Sequence, residues 1–129
     1  MRRVFTPDEV NRLVPTLEDK LAEVQGIMER LRDARDQLAD LRIIWGPKVE
    51  QAECPDHEEY KLYLLQFQKH EEQMRSSLQT IHALGCEVKG LWLVDWDNGD
   101  GYYCWKYPEV TISYFHGYED GFAGRVPIN

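Results

Sequence analysis

The chain has 129 residues, with 15 Lys or Arg against 23 Asp or Glu and a formal net charge of -8. That length suits one modest domain able to bury a core without disulfides. Residues 1–84 carry 12 basic against 16 acidic side chains and residues 85–129 carry 3 against 7, so neither half has the basic footprint that neutralises phosphates, and neither nucleic acid nor an anionic membrane is an expected partner.

Cys54, Cys86 and Cys104 are odd in number and lack CxxC spacing, which fits neither a secreted disulfide framework nor a zinc ribbon; reduced structural thiols are expected. The start of the chain, Arg2 and Arg3 through Val4 and Phe5 into Thr6, Pro7 and Asp8, has no signal-peptide core. No apolar run approaches the roughly 20 residues that span a bilayer. The expectation is a cytoplasmic protein.

Thr6, Pro7, Asp8 and Glu9 form a helix start: a hydroxyl at the N-cap, proline at N1 and a carboxylate at N3 to close a capping box. Pro15 follows closely, and its ring would clash with the Asn11 carbonyl, which predicts a kink or a break there. From Val10 and Val14 onward, Leu17, Leu21, Val24, Met28, Leu31 and Leu38 alternate spacings of four and three, with Arg35 in one slot, as in a coiled-coil seam. Gly46 and Pro47 stop this helix, and residues 46–56 read as an acidic loop. A second helix is predicted from about His57 to Leu84, with Tyr60, Leu64, Phe67, Met74, Leu78 and Ile81 on one stripe and Glu71 in its missing slot. Gly85 suits the position after its end. Two long helices joined by a short loop pack antiparallel.

After Gly85 the period falls to two. Cys86, Val88, Trp92, Val94 and Trp96 share one face of a predicted strand, while Glu87, Lys89, Leu91 and Leu93 share the other. Asp97 to Gly101 is turn-rich. Residues 102–107 and 110–115 read as two further strands joined through Pro108 and Glu109, followed by coil from Gly117 to Asn129. The expected fold is therefore α+β: a long antiparallel helical hairpin (1–84) followed by a small three-stranded antiparallel β-meander and C-terminal loop (85–129), in a single domain.

Ten of the fifteen aromatic residues fall between Trp92 and Phe122, so a site is sought in this tail. Asp95, Asp97 and Asp100 resemble a calcium loop, but Gly99 and Lys106 stand where ligands are needed. A two-residue turn at Pro108 and Glu109 pairs Tyr107 with Val110 and Trp105 with Ile112. His116 then lies on the face of Trp105 and Tyr114, and Cys104 on the opposite one, which separates the simplest Cys/His pair. His116, Glu119 and Arg125 remain as ligand-binding candidates around a pocket floored by Trp105 and Tyr114, with His116 a metal ligand, a general base or, most commonly for such a position, a hydrogen-bonded core residue, and Arg125 either paired internally or clamping an anion. No metal and no cofactor is expected; His116 and Glu119 would be the best pair to hold a metal ion.

The residues resemble the DUF2203 family of small uncharacterised bacterial proteins. Phe5, Thr6, Glu9, Asn11, Leu13 and Pro15 match at the amino-terminal end. Gly85, Val88, Lys89, Leu93, Val94, Asp95, Trp96, Cys104, Trp105, Glu109, Ile112, Tyr114, His116, Glu119, Gly121, Phe122, Gly124, Arg125 and Pro127 match at the other. The chain departs from the family pattern at Pro108, where glycine is usual, at Thr111, where an acidic residue is common, and in a shorter turn after Asp95. The resemblance implies no activity. The preferred expectation is a non-enzymatic interaction or assembly protein that forms a homodimer through its helical hairpin. The alternative is a small-ligand or metal-binding module, with an enzyme among its forms, whose site lies in the C-terminal aromatic loop.

Overall fold

The structure, a computed structural model, describes residues 3–89 and 93–128. Helix α1 (Pro7–Trp45) leads through a 3-10 turn (Gly46–Glu50) to helix α2 (His57–His82). Five strands follow: β1 (Glu87–Lys89), β2 (Leu93–Asp97), β3 (Tyr102–Lys106), β4 (Tyr114–His116) and β5 (Val126–Pro127). They form one antiparallel sheet in chain order. No helix among the described residues is long and apolar enough to cross a membrane. The chain divides into two compact units, residues 1–22 with 78–129, and residues 23–77.

The first unit contains the sheet and the start of α1. The capping box forms as the sequence predicts: Thr6 N donates to Glu9 Oε1 (3.0 Å) and Glu9 N donates to Thr6 Oγ1 (3.3 Å). Hydrogen bonds to the Glu9 carboxylate from the Thr6 backbone N–H and from its side chain hold that carboxyl below its ordinary range. The predicted break at Pro15 is absent, and α1 runs through it. The exposed proline is flanked by Val14 and Leu17, each at most 2% exposed, and burial on both sides outweighs one lost backbone hydrogen bond. Phe5 N donates to Asp97 O (2.8 Å), and its ring occupies the space that a side chain at Gly85 would need; Gly85 itself has φ +88°.

Among the described residues the meander has five strands where three were expected. The predicted strand 86–96 is a hairpin, with Glu87 opposite Asp95 and Lys89 opposite Leu93. The predicted inward and outward places of Trp92 and Leu91 lie outside the described residues. The strand predicted at 110–115 begins only at Tyr114, because the Lys106–Glu109 turn and residues up to Ser113 leave the ladder. There Ile112 N donates to Asn11 Oδ1 (2.7 Å) on α1 instead of to a strand. The final coil supplies β5, with Tyr114 opposite Pro127 and Phe115 opposite Val126. In the turn after β2, Gly99 N donates to Asp97 Oδ1 (2.8 Å) and Asp100 N to Asn98 Oδ1 (2.9 Å), so those side chains serve the backbone.

In the second unit the order of contacts along α1 is opposite to that along α2: Arg42 donates to Tyr60 Oη (2.6 Å), and Ser77 Oγ donates to Glu23 Oε1 (3.4 Å). Leu41, Val49 and Tyr60 form its core, with Leu38, Trp45, Tyr63 and Leu64 packed against it. The connecting segment is tied down by Trp45 Nε1 donating to Asp56 Oδ2 (2.7 Å) and by His57 Nδ1 at 2.9 Å from Val49 O. The predicted seam holds from Val10 to Val24 and then shifts by one residue to Ile27, Ala34 and Leu41. Met28, Leu31 and Leu38 are half-buried and Arg35 is exposed. From Ile27 onward α1 therefore buries a different face from the one it buries between Val10 and Val24.

Candidate functional site

The ladder of β2, β3 and β4 decides which side chains meet. Asp95 pairs with Cys104, Cys104 with Tyr114, and Tyr102 with His116. Residues directly opposite point to the same face and alternate residues do likewise. Asp95, Cys104 and His116 therefore share one face, while Val94, Trp96, Tyr103 and Trp105 share the other. The register differs by one residue from the two-residue turn expected at Pro108 and Glu109, and a slip of one residue exchanges the faces of a strand. The predicted separation of Cys104 from His116 is thus overturned.

All three side chains are buried, with Asp95 6%, Cys104 1% and His116 5% exposed. One ligating atom from each lies within 4.8 Å of the other two. His116 Nδ1 is 2.9 Å from Gly117 O, and Nε2 is 3.2 Å from Asp95 Oδ1. A carbonyl only accepts, so Nδ1 carries a hydrogen. The Nε2 side then needs a proton shared with the carboxylate, or a cation in its place. Burial, reinforced by the Asp95 charge, pushes the Cys104 thiol up to about 11. The ring of Tyr102 lies 5.6 Å from that of His116, and Tyr118, edge-on to Tyr102, donates to Asp97 Oδ1 (2.8 Å). Gly101 lets the backbone after His116 approach closely, since an added Cβ would overlap the His116 carbonyl oxygen.

A thiolate, an imidazole nitrogen and a carboxylate are a donor set for a transition metal such as zinc, not for calcium or magnesium, which take oxygen ligands. The Nδ1 hydrogen bond to a backbone carbonyl is the support that fixes a metal-binding histidine in its tautomer and orientation. A cleft of about 290 Å³ opens beside Asp95 and His116, bounded also by Tyr102, Tyr118, Glu119 and Phe122.

The other candidates separate. Trp105 is fully buried on the far face and donates from Nε1 to Glu109 O (2.7 Å), so it floors the core instead of a pocket. Tyr114 lies on the site face under Arg125, whose guanidinium carbon is 4.0 Å from the Tyr114 ring and 4.7 Å from that of Phe122. Arg125 Nη2 reaches both Glu109 oxygens (2.9 and 3.1 Å) and Cys104 O (3.4 Å), so this nitrogen is paired internally, while Nε is buried without a hydrogen-bond partner. Glu119 is exposed and borders the cleft, but its carboxylate is not among the three converging groups. The partner that sequence reasoning missed is Asp95. Its signal was available as a lone acid between buried Val94 and Trp96, which only the strand register turns into a site.

The family model described as an uncharacterized conserved protein (DUF2203) matches residues 3–128. No curated protein and no solved structure matches the chain.

Proposed function

The chain belongs to the DUF2203 family, and from its geometry we propose that it is a metal-binding protein whose sheet holds one divalent transition-metal ion between Asp95, Cys104 and His116. The observation that carries this reading is the convergence of sulfur, nitrogen and oxygen donors within 4.8 Å on one buried face. The donors come from three adjacent strands, so their spacing is set by backbone hydrogen bonds and needs little rearrangement on binding. Burial supports the assignment, because two ionisable groups and a thiol enclosed together are most cheaply balanced by a cation. Zinc and cobalt(II) suit the set best, the thiolate favouring them over hard cations.

Equilibrium dialysis of the full chain against zinc, read by elemental analysis, tests it. One ion per chain is expected, with Cys104→Ala and His116→Gln each weakening retention by at least about 100-fold. Equal retention by wild type and both variants would remove the reading.

A second reading, assembly, is supported by apolar side chains left over on the helices. Met28, Leu31, Phe67 and Met74 are only half-buried, and Leu62 and Leu65 are 54% and 62% exposed. A homodimer burying these rows in a coiled-coil-like four-helix arrangement would account for them. Light scattering should give twice the chain mass at micromolar concentration, and a monomer would end this reading. Three free thiols suit a reducing compartment such as the cytoplasm.

A further inference from the structure

Resting on the metal-binding reading, we infer that the centre is of the open, ligand-exchanging kind: three protein ligands hold the ion, and its fourth position faces the cleft, where it takes a small anionic ligand. Among the described residues, Asp95, Cys104 and His116 are the whole of the converging donor set. Tetrahedral structural zinc sites are closed by four protein ligands, whereas catalytic sites keep one position for water or substrate.

The direction of the free position follows from what borders the cleft. Asp95 and His116 line it and Cys104 does not, so the sulfur stands behind the other two ligands. An ion bound to all three turns its remaining side toward the cleft. The two carboxylates nearest to that opening are placed otherwise. Glu119 is exposed at the rim. Asp120 is folded against its own loop, where its Cβ would lie 2.8 Å from a side chain added at Gly124 and its Cγ 3.5 Å from one added at Gly117.

The ligand class follows from charge and size. A dication held by one thiolate, one carboxylate and a neutral imidazole has no net charge, so an incoming anion meets a Lewis acid and not a surplus of negative ligands. Lys89 also lines the cleft and is paired at 2.8 Å with Glu87. The volume of about 290 Å³ lies at the small end of ligand pockets, and Tyr102 and Phe122 supply apolar wall. A small carboxylate or another compact anion fits this description.

The test uses full-length protein loaded with one equivalent of cobalt(II), with sodium azide as the probe anion. A sulfur-to-cobalt charge-transfer band, lost in Cys104→Ala, first establishes the loaded centre. Azide should then shift the visible cobalt bands saturably, and Lys89→Ala should raise the azide concentration required. Cobalt bands indifferent to azide in a centre that retains its sulfur band would overturn the open position, and a spectrum altered by Glu119→Gln would name the group that closes it. Failure to take up cobalt at all would overturn the metal reading and the open position together.

Discussion

Buried ionisable side chains on the sheet and just before it are of two kinds, and they respond differently to change. Asp95, Cys104 and His116 face one another, whereas Cys86 sits alone and donates from Sγ to Ile81 O (3.3 Å). Burial pushes the Cys86 thiol up to about 12. An acid whose folded value is raised keeps its proton in the native state while the unfolded chain loses it. Stability is therefore intact below about pH 9 and falls as pH rises from there toward 12. Urea titrations across pH 8–11 should show the wild type losing stability relative to Cys86→Ala, and parallel curves would contradict this. Gly101 gives a second test, because its missing Cβ admits the His116 carbonyl. Gly101→Ala is expected to cost about 1–3 kcal/mol and to weaken zinc retention as His116 moves. Unchanged melting and unchanged zinc content would show that the close approach is dispensable. His116 was legible in the sequence as the residue to watch, and Arg125 as a candidate for internal pairing. Asp95 as its partner was not, because that relation is set by a strand 21 residues away.

At the level of elements, local signals and long-range ones had different fates. The start of α1, its stop at Gly46 and the extent of α2 are written in capping residues and apolar periodicity, and they stand in the structure. Pairing register is not written locally. The segment from Tyr107 to Ser113 reads as turn and strand, yet Ile112 gives its N–H to Asn11, 101 residues away. β4 starts only at Tyr114, after that tertiary hydrogen bond, and its register puts Cys104 and His116 on one face. Asn11→Ala leaves the partly buried N–H without its acceptor, and a loss of about 1–3 kcal/mol is expected. The same variant should lower zinc retention if the segment sets the register, while Asn11→Asp, which keeps an acceptor oxygen, should preserve most of it. Equal effects of both substitutions on zinc would mean that the contact merely packs. The step of the buried stripe from Val24 to Ile27, Ala34 and Leu41 has the same lesson in a helix: periodicity predicts that one face is buried, and what packs against each stretch decides which residues compose it.

Across the whole molecule, chemistry and helix-building are divided between different stretches of chain. The unit comprising residues 1–22 and 78–129 contains all three proposed ligands, and residues 23–77 supply most of the long helices. The sequence shows this division of labour through composition, with aromatics and glycines crowded into the tail and charged heptads before it. The proposed centre could not be read the same way, because Asp95, Cys104 and His116 stand 9 and 12 positions apart and match no local metal-binding motif. Their identity as ligands is also the most direct point of test. X-ray absorption at the zinc edge, on full-length protein holding one equivalent, reads the atoms around the ion without recourse to variants. The account predicts one sulfur at about 2.3 Å with nitrogen or oxygen neighbours at about 2.0–2.1 Å. A shell without sulfur, or one with two or more sulfurs, would contradict it.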